Sequence, residues 1–456
     1  MSLASDQTTG GSPNRTESGD TLGSARLKIA IIGSGIIGVM TALGLLQRGF
    51  DVKIYEQGAS FQEVSAGFAF TGVARECMDL LNPCILEALK RVGEENKHPQ
   101  NRYWDGFTNK QTARDQDSLL FQLSARDLAY WGCLRSSLLR ELTAELPPGV
   151  TEFNKKLVSY IDSDSQEAVL LSFEDGTIAL ADAVIGCDGI HSRTRQLLLG
   201  EDDSASYASY SHHTAYRAVL PIDKAIAAIG NDKAMNQCIH MGPNAAIVSY
   251  PVSNWTLWNV AIFVHDPEEW PNPNLTTVNG SRSEVETALG DWSVDIRQIA
   301  KQLPESVTKW AIFDMADHPA RTYACGRVCV AGDAAHASSP FQGAGACMGV
   351  EDALVLAITL EAASKRAEQT ATLGVANAIT AAFKAFSRVR MERSQWLVKS
   401  SRETGDMYQW RLPTTRNDAE KCHAEMQQRT RMIWDFDVQK MVDDAEAALE
   451  EELSRR

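Results

Sequence analysis

Basic charge is scarce in this chain of 456 residues: 44 Lys and Arg stand against 59 Asp and Glu, a formal net charge of -15. A nucleic-acid surface needs a basic stripe, so that class of partner is excluded. Cysteine offers no framework. Cys77, Cys84, Cys133, Cys187, Cys238, Cys325, Cys329, Cys347 and Cys422 are odd in number and scattered, with no Cys-x-x-Cys pair. That excludes a disulfide scaffold or a zinc site and points to thiols in a reducing, cytoplasmic compartment. No Gly-x-Ser-x-Gly elbow occurs, and no second ligand lies at metal-binding spacing from His336, so metal and triad chemistry are not expected. Long apolar runs are nearly absent. The one imitation of a membrane span, Ile29 to Leu46, opens β-branched and carries four glycines, so it reads as a buried strand and helix, and no membrane span is expected. Residues 1–25 are rich in Ser, Thr, Gly and Asp, have no apolar core for a signal peptide, and read as a disordered tail.

What is present begins at Lys28-Ile-Ala-Ile-Ile-Gly33, a short apolar run that reads as a buried parallel strand. Ile36 to Arg48 reads as a helix closed by Gly49, and Val52 to Glu56 as the next strand, a βαβ unit of right-handed crossover. Its turn is Gly33-Ser-Gly35-Ile-Ile-Gly38. Gly33 permits the tight turn, Gly35 lets backbone approach a pyrophosphate, and Gly38 lets helix pack on strand. The helix N-terminus offers free N–H groups to the anion. Glu56, 23 residues after Gly33, stands where an acid binds a ribose hydroxyl. The glycines alone do not separate FAD from NAD.

Asp127 to Leu146 reads as a helix with Arg135 in its middle. Ala168 to Phe173 and Val184 to Cys187 read as strands around the turn Glu174-Asp-Gly176. From Tyr207 to Phe313, short runs rich in Trp, Tyr and Thr indicate an antiparallel sheet; their aromatics fit a pocket lining or sheet core equally. His212-His213 reads as a strand-edge pair. Val328 to Ala331 is again a buried strand, and from Val350 the texture is helical, with Asp443 to Glu452 as a solvated face. Two further signals follow strands. Asp188-Gly189, leading to Ser192-Arg193, is a turn or part of a site. Gly332-Asp333-Ala-Ala-His336 leads to Pro340 and Gly343-Ala-Gly345. Asp333 is a helix cap or a ligand at the carboxyl end of a parallel strand.

In this order and spacing the three motifs resemble the class A flavoprotein aromatic hydroxylases, the salicylate-hydroxylase-like and p-hydroxybenzoate-hydroxylase-like enzymes. The likeness runs from Leu27 past Asp352. It implies an α/β fold: a Rossmann-like FAD-binding domain over 26–206 and 318–370, a β-rich substrate domain over 207–317, and C-terminal helices over 371–456. It implies that Gly33, Gly35 and Gly38 face the diphosphate, Glu56 the adenosine ribose, Arg135 the FAD and Asp333 the ribityl chain. Asp188 is then expected near FAD and NADPH, with Gly345, Ala346 and Cys347 at the flavin ring. Reduced nicotinamide, NADPH or NADH, has no glycine-rich domain of its own in such enzymes. None is found here: Gly343-x-Gly345-x-x-x-Gly349 has the wrong spacing. The implied reaction reduces FAD, forms a flavin C4a-hydroperoxide with O2, and transfers one oxygen to an electron-rich ring. A flavoprotein oxidase or dehydrogenase would use the same FAD domain, and a nucleotide-binding sensor the same fingerprint.

A narrower likeness, carried by His213-Thr-Ala-Tyr-Arg217, His240-Met-Gly-Pro-Asn244, Ser249-Tyr250-Pro251 and Asp266-Pro-Glu-Glu-Trp270, is to fungal polyketide-pathway hydroxylases. Those convert phenolic aldehydes or ketones to dearomatised hydroxy-dienones. Physics gives Arg217 and Tyr250 a task in such a reaction. Oxygen transfer needs a phenolate, so a phenol of pKa near 10 must be ionised by an adjacent cation. Arginine stays charged when partly buried. The likeness implies that Arg217 and Tyr250 anchor this phenolate; otherwise Arg217 pairs with a surface carboxylate and Tyr250 is sheet packing.

Overall fold

The computed structural model describes residues 26–61, 67–95, 100–108, 118–124, 130–163, 166–273, 275–370 and 372–455. The tail expected over 1–25 lies outside them. The first sheet runs Ala324–Cys325, Val328–Val330, Ala183–Gly186, Lys28–Ile32, Asp51–Tyr55, Thr151–Glu152. All neighbours pair parallel except the first two. Lys28–Ile32 sits centrally; its four apolar residues are at most 4% exposed, as a strand covered on both faces must be. The fingerprint helix Ile36–Gln47 and the long helix Gly345–Gln369 pack together beside this sheet. A three-stranded antiparallel sheet, Leu157–Ile161, Val169–Phe173 and Ile178–Ala181, meets it with Phe173 against Tyr55, ring centroids 4.7 Å apart.

Two readings of this region are corrected. Val169–Phe173 turns back onto Ile178–Ala181, while the Val184 strand lies in the parallel sheet beside Lys28–Ile32. The tight turn through Gly176, at φ +82°, leaves only a short returning strand, and the fully apolar Ala183–Gly186 is buried at every residue. Arg135 is also not mid-helix. Trp131–Leu134 is a strand paired with Gly67–Phe70, and the helix is Arg135–Ala144, so Arg135 opens it. Residues 127–129 of the expected helix lie outside the described residues.

The second sheet has eight strands, in the order Thr277–Ser281, Ser306–Asp314, Ser209–Pro221, Leu257–His265, Ala245–Val252, Gln237–Gly242, Gln100–Asp105, Leu119–Ser124. Its last two strands come from upstream of Tyr207 and join it through one parallel pairing. Because pleat parity alternates, its two faces carry separate cores. One face packs Tyr216, Leu220 and Trp258 under helices Ile222–Ile229, Arg282–Ala288 and Val294–Gln302. The other packs Ala215, Ala261 and Phe263 against Phe341, Met407 and Tyr408. The aromatics therefore divide: Trp258 and Trp292 are core, whereas Trp310 lies under Arg217. His212-His213 is no edge pair. Ser209–Pro221 is an inner strand with a bulge between Tyr210 and His213, which puts His212 at φ +56° and buries His213.

Candidate active site

The three glycines of the fingerprint are required for different reasons. Gly33 has φ +99°, and a Cβ there would lie 2.6 Å from the Cys187 carbonyl oxygen. A Cβ on Gly38 would lie 2.1 Å from the Gly33 oxygen. The protein itself needs both glycines. Gly35 differs: its backbone, φ -66° and ψ 175°, suits any residue, and its Cβ would meet only Arg135 Nη2, at 3.7 Å. Nothing in the chain demands that glycine; a ligand in front of the helix N-terminus would. The Arg135 guanidinium beside it has no hydrogen-bond or ion-pair partner among the described residues, which suits an arginine waiting for a phosphate. Glu56 is buried behind the turn and accepts from Ser34 N at 2.8 Å, Ser34 Oγ at 2.7 Å and Gly58 N at 2.7 Å. Those bonds fix its carboxylate at the end of the second strand.

Asp188 follows the strand Ala183–Gly186, with its Cα beside Gly33. Its carboxylate accepts from Ser192 Oγ at 2.5 Å, Thr194 N at 2.9 Å and Thr194 Oγ1 at 3.0 Å. Burial raises its pKa, and the Ser192 and Thr194 hydrogen bonds offset part of that rise. Asp188 thus holds the Gly189 turn, at φ +76°, as well as standing by the nucleotide fingerprint.

Asp333 opens a four-residue helix capped by Gly332; its exposed carboxylate makes no cap and has no hydrogen-bond partner among the described residues. It is free to accept from a ligand hydroxyl. Replacing Asp333 with alanine is expected to give pale protein whose activity returns with added FAD; a fully yellow, fully active variant would refute the assignment. The motifs converge because side chains lace them together. Ile37 fills the space that a Cβ on Gly332 or Gly349 would take. Buried Arg195 donates to Ile190 O at 2.6 Å and Ala334 O at 3.0 Å, binding the Asp188 turn to the Asp333 turn. Burial lowers its pKa to about 10, against the pull of Asp188 and Asp333.

His336 is packed by hydrogen bonding, as expected: its Nε2 lies 2.5 Å from Asp352 Oδ2. Asp352 also accepts from Gly332 N at 3.0 Å and Arg390 Nε at 2.8 Å, while Arg390 Nη1 meets Glu351 at 2.7 Å. Burial pushes the Asp352 carboxyl up, but His336 and Arg390 outweigh it and hold the pKa at about 2. This buried network fastens the Gly332 turn to the helices Gly345–Gln369 and Val375–Tyr408. No motif in the sequence names it. An acidic pair, Glu351-Asp352, inside an otherwise apolar helical run was the available signal, since buried acids occur only with partners. Arg195, two residues beyond the half-buried Arg193, offered no such signal.

Gly345 and Ala346 form the first turn of the helix Gly345–Gln369, whose free N–H groups carry positive potential. Cys347 is buried, its Sγ 3.5 Å from the Ala69 oxygen. Strand Gly67–Phe70 therefore runs beside this turn. On its other side a Cβ on Gly67 would lie 3.4 Å from Tyr250 Oη. The register Arg217–Ala261–Val248 and Val219–Asn259–Tyr250 puts Arg217 and Tyr250 on one sheet face. That face carries Phe263, 4.7 Å from Phe341 of the Pro340–Gln342 turn. Arg217 stacks over Trp310 at 5.2 Å. Burial raises the Tyr250 pKa against the pull of Arg217, and burial lowers that of Arg217 against the pull of Tyr250. Each charge thus feels the other, and neither side chain has a hydrogen bond or ion pair among the described residues.

A family model described as FAD binding domain matches residues 26–377. The chain belongs to this family. It is 52% identical over 423 residues to an FAD-dependent monooxygenase of Aspergillus terreus, covering 92% of this chain and 96% of that one. It is 42% identical over 430 residues to a salicylate hydroxylase of Sarocladium schorii, with 91% and 89% covered. A solved salicylate hydroxylase in its substrate complex superposes with TM-score 0.77 at 27% identity, over 92% of this chain and 98% of the other. The protein is an FAD-dependent monooxygenase of the salicylate hydroxylase type. The residues present fit the cofactor: Gly35 leaves room that only a ligand needs, and Arg135 and Asp333 are free to bind one. No helix among the described residues is long and apolar enough to cross a membrane, and no group of His, Cys, Asp and Glu among them could hold a metal ion.

Proposed function

We propose that the monooxygenase oxidises NADPH or NADH, consumes O2 and hydroxylates a phenolic aldehyde or ketone of polyketide origin, bound as its phenolate. FAD supplies, when bound, the redox chemistry that activates O2. The chain's own residues prepare the ring. Arg217 stabilises the phenolate oxygen, Tyr250 donates a second hydrogen bond to it, and the apolar surroundings of Phe263 and Phe341 exclude water. The balance is one reduced nicotinamide, one proton and one O2 consumed for one oxygen atom inserted and one water released. Where the attacked carbon already bears a substituent, the product is a hydroxy-dienone and aromaticity is lost.

The observation that carries this reading is the Arg217 guanidinium, whose Nε is buried and unbonded and which has no carboxylate partner among the described residues. A buried charge left without a counter-charge is costly, so the site is built for an anionic guest. The named substrate of the salicylate hydroxylases it resembles is a phenol. The test is oxygen-dependent NADPH or NADH oxidation stimulated by a substituted resorcylic aldehyde, with product mass raised by one oxygen. Peroxide release with no oxygenated product from any phenol of this class would identify an oxidase instead.

A further inference from the structure

The inner strand Ser209–Pro221 pairs with Ser306–Asp314 only as far as Arg217 opposite Thr308. Beyond that point the strands part. Ala218 to Pro221 stays with Leu257–His265, and Ser306 and Val307 stay with Thr277–Ser281. The split opens a slot of about 580 Å³ at the end of the sheet. Arg217, Lys224, Arg282 and Lys301 line it, and no acidic side chain does. In a chain of net charge -15, a slot whose charged lining residues are all cations is not an average sample of surface. Arg282 is partly engaged, donating to Leu303 O at 3.3 Å with Glu286 3.9 Å away. Lys224 and Lys301 are exposed and have no hydrogen-bond or ion-pair partner among the described residues. Arg217 is shared: it lines the slot, and it sits on the sheet face beside Tyr250.

We infer that this slot is the entrance by which substrate reaches Arg217, and that its cations recruit substrates arriving as anions, aromatic acids or phenolates. A cleft lined by one sign of charge focuses its field and raises association rates by about 10- to 1,000-fold, an effect that salt screens. The inference rests on Arg217 being the phenolate anchor, and adds to it the route and the charge of the incoming ligand.

The test uses the FAD-loaded enzyme and two matched probes, salicylate as the anion and methyl salicylate as the uncharged ester. Stopped-flow perturbation of the flavin spectrum gives the association rate constant. In the double variant Lys224→Glu/Lys301→Glu, salicylate association at low ionic strength is expected to slow about tenfold. The dissociation rate, methyl salicylate association, FAD content and melting temperature should stay as in the wild type. The neutral pair Lys224→Gln/Lys301→Gln should fall between, and 0.5 M NaCl should erase the differences. Equal salicylate association in all three proteins at low salt overturns the inference. So does equal slowing of the ester, or a wild type that binds salicylate no faster than the ester. If the lysine variants bind salicylate as the wild type does while Arg217→Ala still loses about 100-fold in kcat/KM, the entrance alone is wrong. If Arg217→Ala hydroxylates normally, the phenolate reading itself fails.

Discussion

Gly35→Val is expected to fold normally and purify without colour. The reason lies in the contrast among three glycines that read alike as letters. At Gly38 a Cβ would stand 2.1 Å from the Gly33 oxygen, and at Gly33 it would stand 2.6 Å from the Cys187 oxygen in a left-handed backbone. Substitution there must move backbone, an overpacking cost of about 1–3 kcal/mol or more. At Gly35 the backbone is ordinary and the added carbon meets only the movable tip of Arg135. Valine's branches would instead occupy the approach to the helix N-terminus, where a diphosphate must come close to use the free N–H groups. The apo form of Gly35→Val should therefore melt within a degree or two of wild-type apoprotein, with FAD binding lost. Gly38→Val should lose both FAD and melting temperature. Gly10→Val, outside the described residues, is the unaffected control. A yellow Gly35→Val enzyme, or one that melts as low as Gly38→Val, would show that Gly35 faces protein and not cofactor.

The parts of the fold legible in the sequence were those with local rules. Lys28–Ile32, the fingerprint turn, Ile36–Gln47 and Val328–Val330 combine apolar runs with glycines, of which Gly33 and Gly38 stand where no side chain fits. Strand pairing over distance was less legible. Gln100–Asp105 and Leu119–Ser124 complete the large sheet from upstream, and no local pattern announces which sheet a short strand will join. The start of Arg135–Ala144 was misplaced because helix propensity over 127–146 is overridden where Trp131–Leu134 finds a strand partner in Gly67–Phe70. That later start brings the Arg135 guanidinium to Gly35.

At the site, sequence named the residues expected to meet ligands more readily than the residues that hold those in place. Gly33, Gly35, Glu56, Arg135 and Asp188 gather at one turn. Asp333 and Gly345 arrive through Arg195, Ile37 and the Asp352–Arg390 network, whose members are 16 to 38 residues apart and announce themselves only by being charged inside apolar helices. A lone charge on a helical pattern reads as a solvated face, and only tertiary packing shows that two such faces are pressed together.

Arg217→Ala is expected to keep its yellow FAD and lose about 100-fold in kcat/KM, the scale of removing a charged hydrogen-bond donor from a developing reaction. A phenol near pKa 10 is less than about 1% ionised at pH 7, and an electrophilic oxygen transfer needs the ionised ring. Arg217 is the cation on the sheet face that Phe341 covers, and Tyr250 is within reach of its charge. Tyr250→Phe removes one neutral donor, worth about 1 kcal/mol or roughly a fivefold loss. Lysine at 217 would restore only part of the rate, because it presents a point charge in place of a planar fork and loses its proton more readily on burial. The pH profile separates this role from mere packing. With wild-type enzyme, turnover of a phenolic substrate should be nearly flat from pH 7 to about 9, because the site ionises the phenol itself. With Arg217→Ala, the residual rate should climb with pH toward the substrate's own pKa near 10, as solution ionisation replaces the missing cation. Methyl ethers of the same substrates, which cannot ionise, should be poor with both enzymes. Wild-type rates in Arg217→Ala, equal turnover of ethers and phenols, or a variant whose pH profile matches the wild type would each overturn the phenolate anchor.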